Sequence, residues 1–199
     1  MGMYSFSLTK SVLESSNMQH PICIWMTGFS GSGKSTIANM LHRRLHSDGY
    51  HSYILDGDNL REGINSDLGF DDIDRKESVR RAAEIARLFL DAGIIVIVAL
   101  ISPFRTDRKF ARSLFKNQDF CEVFIDASIE ECIRRDVKGL YAKAIRGQLV
   151  NFTGITSAFE PPESPDIHVR TEIQSPKDSV DEIFRVLNQK YLTKSSHES

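Results

Sequence analysis

Long apolar runs are missing from this chain: the longest, Ile94 to Ile101, has eight residues, far short of the roughly 20 that a membrane-spanning helix requires. No membrane partner is expected. Cysteine is scarce as well, and Cys23, Cys121 and Cys132 form no C-x-x-C pair. An odd number of thiols, two of them in expected strands, points to buried cysteines in a reducing, cytoplasmic setting rather than to disulfides or a metal site. Neither sign of charge dominates, with 25 Lys and Arg against 27 Asp and Glu. Without a general basic field, long nucleic acid is a poor partner and a small ligand is favoured. Segment 1–20 carries Lys10 but no apolar core followed by a cleavage site, so it reads as a poorly ordered surface arm and not as an export signal. No repeat or low-complexity stretch divides the 199 residues, a length suited to one well-cored domain, taken as 21–192 with a polar tail at 193–199.

The sequence does contain Gly28-Phe29-Ser30-Gly31-Ser32-Gly33-Lys34-Ser35, which fits G-x-x-x-x-G-K-[ST] and lies between an apolar run, Ile22 to Met26, and a helical pattern. In that context a strand delivers the loop, the glycines expose consecutive backbone N–H groups, and a helix N-terminus adds its positive dipole end. Lys34 is placed to reach the β- and γ-phosphates, and Ser35 to offer a hydroxyl to Mg²⁺. The ligand implied is a nucleoside triphosphate held by residues 28–36, Thr36 included.

Downstream, Ile37, Met40, Leu41 and Leu45 mark a first crossover helix closed by Asp48-Gly49. His51 to Leu55 reads as a strand that empties into Asp56-Gly57-Asp58-Asn59. Ligands of open α/β sheets collect at such strand ends, so these carboxylates should face the phosphate loop, although D-G and D-N are also ordinary turn chemistry. Asn59 to Phe70 is irregular. Asp74-x-x-Glu77 resembles a capping box opening a helix that ends at Gly93. Arg75, Arg80 and Arg81 near its start oppose the macrodipole and call for an anion, or, for Arg80 and Arg81, form a solvated face. Ile94 to Ile101 is the expected centre of the sheet, buried on both faces. It ends in Ser102-Pro103-Phe104-Arg105 without the Asp that often holds Mg²⁺ in phosphate-loop proteins, so Ser35, phosphate oxygens, water and Asp56 or Asp58 must serve. Cys121 to Ile125 is a further strand, and Ser128-x-x-Glu131 caps the next helix. The basic stretch from Arg134 through Lys138 and Lys143 to Arg146, interrupted by Gly139 and Gly147, suggests a lid over phosphates or, for Arg134 and Arg135, cationic helix capping. Residues 151–165 form a loop containing Phe152, Asp166 to Thr171 supply a last strand, and Ser175-Pro176 opens a final helix. The alternation of strands and helices predicts an α/β, P-loop NTPase-like three-layer sandwich: a parallel sheet with helices on both faces.

The chain lacks an N-K-x-D-type base-reading motif, and no D-x-x-G switch follows directly on the Ile94–Ile101 strand. An acidic turn together with a basic lid favours phosphoryl transfer to a small acceptor, a reaction that needs positioning and charge stabilisation more than covalent help. Asp58 is the candidate to orient the acceptor hydroxyl and take its proton.

Six motifs make the resemblance specific: Gly-Phe-Ser-Gly-Ser-Gly-Lys-Ser-Thr (28–36), Leu-Asp-Gly-Asp-Asn (55–59), Asp-Leu-Gly-Phe (67–70), Ile-Ser-Pro-Phe-Arg (101–105), Lys-Gly-Leu-Tyr (138–141) and Asn-Phe-Thr-Gly-Ile (151–155). In order and spacing they resemble those of adenylylsulfate kinases, over about residues 20 to 187. The resemblance implies ATP plus adenylyl sulfate giving 3′-phosphoadenylyl sulfate and ADP, with Mg²⁺, in a cytoplasmic homodimer with functional coupling to an ATP sulfurylase. It assigns Asp58, Arg61, Arg75, Ser78, Ile101, Ser102, Lys138 and Leu140 to the acceptor, with Phe70 and Phe152 stacked on either side of its adenine. Ser102 matches a position described in the family as a phosphoserine intermediate. No base adjoins it in sequence and in-line transfer needs no second nucleophile, so a hydroxyl there serves to bond a phosphate or a metal-bound water. Two positions depart from the family pattern: Ser78 replaces a usual Asn, and Val137 a usual Pro before Lys138. A kinase of another nucleotide-like acceptor and a non-catalytic ATP-binding subunit of a sulfate-activating complex remain as alternatives.

Overall fold

In the computed structural model, which describes residues 8–192, the elements run α1 (Lys10–Asn17), β1 (Cys23–Thr27), α2 (Lys34–Ser47), β2 (Ser52–Asp56), α3 (Gly57–Glu62), α4 (Asp72–Asp91), β3 (Ile95–Ala99), α5 (Arg105–Ser113), β4 (Phe120–Asp126), α6 (Ile129–Arg135), α7 (Leu140–Ile145), β5 (Ile167–Arg170) and α8 (Pro176–Lys190). The period-2 alternation of a strand sorts the β1 run onto two faces. Ile22, Ile24 and Met26 enter a core shared with Ile37, Leu41 and Leu45 of α2 and Ile183 and Leu187 of α8. Cys23 and Trp25 enter a second core with Val79, Ala82, Ala86 and Leu90 of α4 and Ala111 of α5. The sheet is parallel throughout, in the order β2-β3-β1-β4-β5. The three layers expected are therefore present.

Three local expectations are corrected. The middle strand is β1, not the Ile94–Ile101 run, whose β3 lies between β2 and β1. A wholly apolar strand reports helices on both faces; it does not report position in the sheet. Helix α4 is capped by Asp71, whose carboxylate accepts from Asp74 N at 2.8 Å, because Asp74 itself is drawn to Gly69 N at 2.6 Å. The Asp56-Gly57-Asp58-Asn59 turn is the N-cap and first turn of α3, with Asp56 Oδ1 accepting from Asp58 N at 2.9 Å. The caps expected at Ser128 and Ser175 form, accepting from Glu131 N at 3.2 Å and Asp178 N at 3.1 Å.

The arm expected over 1–20 is likewise corrected where it is described: Lys10–Asn17 is the helix α1, while 1–7 and the tail 193–199 lie outside the described residues. The cause is Gln19, buried beside the sheet. Its Nε2 donates to His51 O at 2.9 Å and to Gly93 O at 2.7 Å, and its Oε1 accepts from His51 N at 2.7 Å. His51 N–H depends on Gln19 for its partner, whereas His51 O also accepts from Ile95 N and Gly93 O from Asn17 Nδ2. Gln19→Ala should cost about 1–3 kcal/mol, chiefly for the orphaned His51 N–H, read as a lower denaturation midpoint at unchanged m-value; a change under about 0.5 kcal/mol would count against this tie.

Candidate functional site

The loop after β1 presents its amides to ligand because its carbonyls are engaged elsewhere. Lys34 Nζ donates to Gly28 O at 2.9 Å and Phe29 O at 2.6 Å. Tyr141 OH donates to Ser30 O at 2.8 Å. Arg135 reaches Gly31 O at 3.2 Å and Ser32 O at 3.4 Å, and Thr171 Oγ1 donates to Ser32 O at 2.8 Å. All five carbonyls from 28 to 32 thus accept side-chain donors. Two glycines are obligatory for distinct reasons. A Cβ on Gly28 would stand 2.3 Å from Ile125 O of β4, and Gly33, the N-cap of α2, has φ 106°. Gly28 and Phe29 do not line the cavity; Phe29 supports the loop from below, packed on Phe159 with ring centroids 4.7 Å apart.

A cavity of about 620 Å³ opens above this loop, within the range of small-molecule sites. Of the residues expected at the site, Ser30 to Thr36, Asp58, Arg61, Phe70, Arg75, Ser78, Ile101, Ser102, Lys138, Leu140 and Phe152 all line it. Sequence reasoning missed Thr171 and Gln174, which line the same cavity, and Tyr141, which holds the loop. Thr171 directly follows β5, so the strand-end rule already used for Asp56 pointed to it. Arg135, read as a cap or part of a lid, is bonded to the phosphate loop as well as to Glu131 at 2.7 Å.

At the strand end, Ser35 Oγ donates to Asp56 Oδ2 at 2.6 Å. Asp56 is therefore both the cap of α3 and the partner of the phosphate loop, so it faces that loop as expected, from a helix N-cap and not from a free turn. Asp58, two residues on, accepts from Lys138 Nζ. Both side chains are exposed, which makes the pair weak in stability terms; its consequence is to carry the turn between α6 and α7 across to α3.

The opposite wall is built on cations without carboxylate partners. Arg75, buried, donates to Phe70 O at 2.9 Å and to Asn151 O. Arg61 donates to Gly69 O at 3.0 Å and lies 4.0 Å over the Phe70 ring. Burial pulls both guanidinium pKa values down, and neither makes an ion pair among the described residues. By contrast Arg80 and Arg81 are answered by Glu77 and Asp67 at 2.6 to 2.9 Å, the solvated-face outcome. Phe152 meets Tyr141 edge-on at 5.0 Å. Ser78 Oγ accepts from Asn65 Nδ2 at 2.9 Å, and Ser102 Oγ accepts from Trp25 Nε1 at 3.1 Å.

A parallel sheet whose middle strand runs into a glycine loop with a buried lysine, opening a helix, defines a phosphate-loop nucleotide-binding protein of the kinase-like α/β class. Comparison with known proteins is more specific. Residues 20–170 match the model of the adenylylsulphate kinase family, and the chain belongs to that family. It is 51% identical over 175 residues to the bifunctional enzyme NodQ of Rhizobium meliloti (strain 1021), a match that spans 88% of this chain and 27% of that protein. It is 47% identical over 193 residues to the adenylyl-sulfate kinase of Marinobacter nauticus, with 97% of each chain covered. The structure of the Mycobacterium tuberculosis APS kinase CysC in complex with AMPPNP and APS superposes with a TM-score of 0.82 at 43% identity, over 85% of this chain and 98% of that one.

Burial lowers the Lys34 pKa to about 8. In the folded chain its charge is thus disfavoured, and its contribution to stability rises with pH between that value and the ordinary lysine value of roughly 10.4. Phosphate oxygens favour the charged form. Inorganic triphosphate binding at pH ~9 should therefore take up close to one proton, and almost none below pH ~7. Calorimetry in buffers of different ionisation enthalpy measures this, and Lys34→Met should abolish the uptake.

Proposed function

We propose that this protein transfers the γ-phosphoryl group of ATP to the 3′-hydroxyl of adenylyl sulfate, giving 3′-phosphoadenylyl sulfate and ADP. The observation that carries the reading is the single cavity lined both by the phosphate loop and by Arg61, Phe70, Arg75, Lys138 and Phe152. A triphosphate on the loop amides and a second, anionic nucleotide on the arginine side are what those two walls suit. Lys34 has a third N–H beyond those on the Gly28 and Phe29 carbonyls to give to the phosphates, neutralising charge that grows on the bridging oxygen. Asp58 orients the ribose hydroxyl and receives its proton, with Lys138 holding the carboxylate in place. Phe70 and Phe152 stack on the acceptor adenine. Arg61, Arg75, Leu140 and the Ile101–Ser102 segment complete that subsite. Transfer is direct and in line: the described partner of Ser102 Oγ is a donor, so nothing beside it can take its proton.

Magnesium fits the donors present. Ser35 would hold it with Asp56 behind, a sparse set that suits an ion keeping several waters and substrate oxygens. Among the described residues no cluster of three His, Cys, Asp or Glu offers an all-protein cage. The ion would neutralise the β- and γ-phosphate oxygens. The same reading carries a cytoplasmic homodimer and coupling to an ATP sulfurylase. A bifunctional relative of which this chain matches only 27% supports a companion activity, and among the described residues no helix is long and apolar enough to cross a membrane. A second reading, transfer to another nucleotide-like acceptor, is favoured by Ser78: its short hydroxyl is already engaged by Asn65 and cannot make the paired bonds of an amide.

ADP release should depend on added adenylyl sulfate. Release only with a different nucleotide acceptor would move the substrate, and ATP binding without release would indicate a non-catalytic subunit. Lys34→Ala should lower kcat on the order of 10²–10³-fold with the fold retained by circular dichroism. Phe152→Ala should raise the KM for the acceptor about 10-fold and that for ATP less than about 2-fold; equal losses would remove the stacking assignment.

A further inference from the structure

We propose that Trp25 is a positioning residue for the acceptor: its indole N–H sets the direction of the Ser102 hydroxyl, so that Ser102 enters the cavity as a hydrogen-bond donor. The inference rests on the phosphotransferase reading above. Trp25 is the one tryptophan of the chain, fully buried in β1 and stacked on Phe120 with ring centroids 6.0 Å apart. A buried indole N–H needs an acceptor, and here that acceptor is Ser102 Oγ at 3.1 Å. Indole has no lone pair to offer in return. The Ser102 proton therefore cannot point at Trp25; it and one lone pair are left for whatever occupies the cavity that Ser102 lines.

The backbone of Ser102 is held just as firmly. Its φ of 39° is left-handed, a strained state for a serine. Its carbonyl accepts from Arg108 Nη1 at 2.7 Å, and Arg108 is fixed in turn by Glu122 at 2.9 Å and Glu160 O at 2.6 Å. With the carbonyl tied down and the Oγ accepting from the indole, the hydroxyl loses its usual freedom to rotate. A fixed O–H donor prefers an anionic oxygen, the kind a phosphosulfate bridge supplies. The strand that delivers the phosphate loop thus also orders the acceptor side, because Trp25 stands three residues before Gly28.

The test is steady-state kinetics on the full chain and on Trp25→Phe, Ser102→Ala and the double variant. Ser102→Ala should raise the KM for adenylyl sulfate about 10-fold and Trp25→Phe about 5-fold, with the KM for ATP unchanged. The double variant should be no worse than Ser102→Ala, since Trp25 acts only through that hydroxyl. Losses that multiply in the double variant would overturn the proposal, leaving the phosphotransferase reading intact. A second arm needs no tryptophan substitution. Saturating adenylyl sulfate should shift the Trp25 emission of the unaltered chain and leave that of Ser102→Ala unshifted; equal shifts, or none in the unaltered chain, would overturn it even if Trp25→Phe fails to fold. A chain that shifts its emission but releases no ADP would instead defeat the phosphotransferase reading alone.

Discussion

The main-chain polarity of residues 28–33 is the constraint on which the rest of the structure depends. A loop can offer a row of N–H groups to phosphate only if its carbonyls are satisfied on the other side. Here that is done by Lys34 from α2, Tyr141 from α7, Arg135 from α6 and Thr171 after β5. Four separate elements must be in place before the loop can hold its shape. The tight approach of Gly28 to Ile125 O then locks it to β4.

From that loop a chain of polar contacts leads to the far wall of the cavity. Ser35 bonds Asp56, Asp56 caps α3, and Asp58 in the first turn of α3 meets Lys138. Both sides of the cavity are thereby registered to one strand end. That far wall stores its positive charge in a form that a ligand can claim: Arg61 and Arg75 rest on backbone carbonyls, which satisfy their donors without neutralising them. Cations placed so are poised for an anion, whereas Arg80 and Arg81, already paired to carboxylates, are not.

Much of this was legible beforehand where the signal is contiguous. The phosphate loop, the strand-helix alternation and the six motifs each occupy a few consecutive residues, and the residues they mark converge on one cavity. Strand limits moved by a residue, as for β1 and β2, because pairing partners and not hydropathy decide where a ladder ends. The readings that failed rest on longer-range facts. Gln19 lies in an unremarkable polar stretch, and its value comes from the His51 and Gly93 backbone groups that packing brings to it. The Asp74 cap failed because a backbone N–H at Gly69 competes for the same carboxylate. Tyr141 closes one of the six motifs and Thr171 follows a strand end, but neither mark told what it does, since each serves a loop more than a hundred residues away in sequence.

By itself, then, the sequence determined the class of fold, the phosphate site and the residue types that face it, because periodicity, glycine at left-handed positions and the G-x-x-x-x-G-K-S spacing are properties of short segments. Only the tertiary structure decided which arginines stay unpaired, which donors free the loop amides, and that a buried indole fixes the Ser102 hydroxyl. Those depend on what packing brings within hydrogen-bond reach, and a polar group takes the nearest partner in space whatever its distance along the chain.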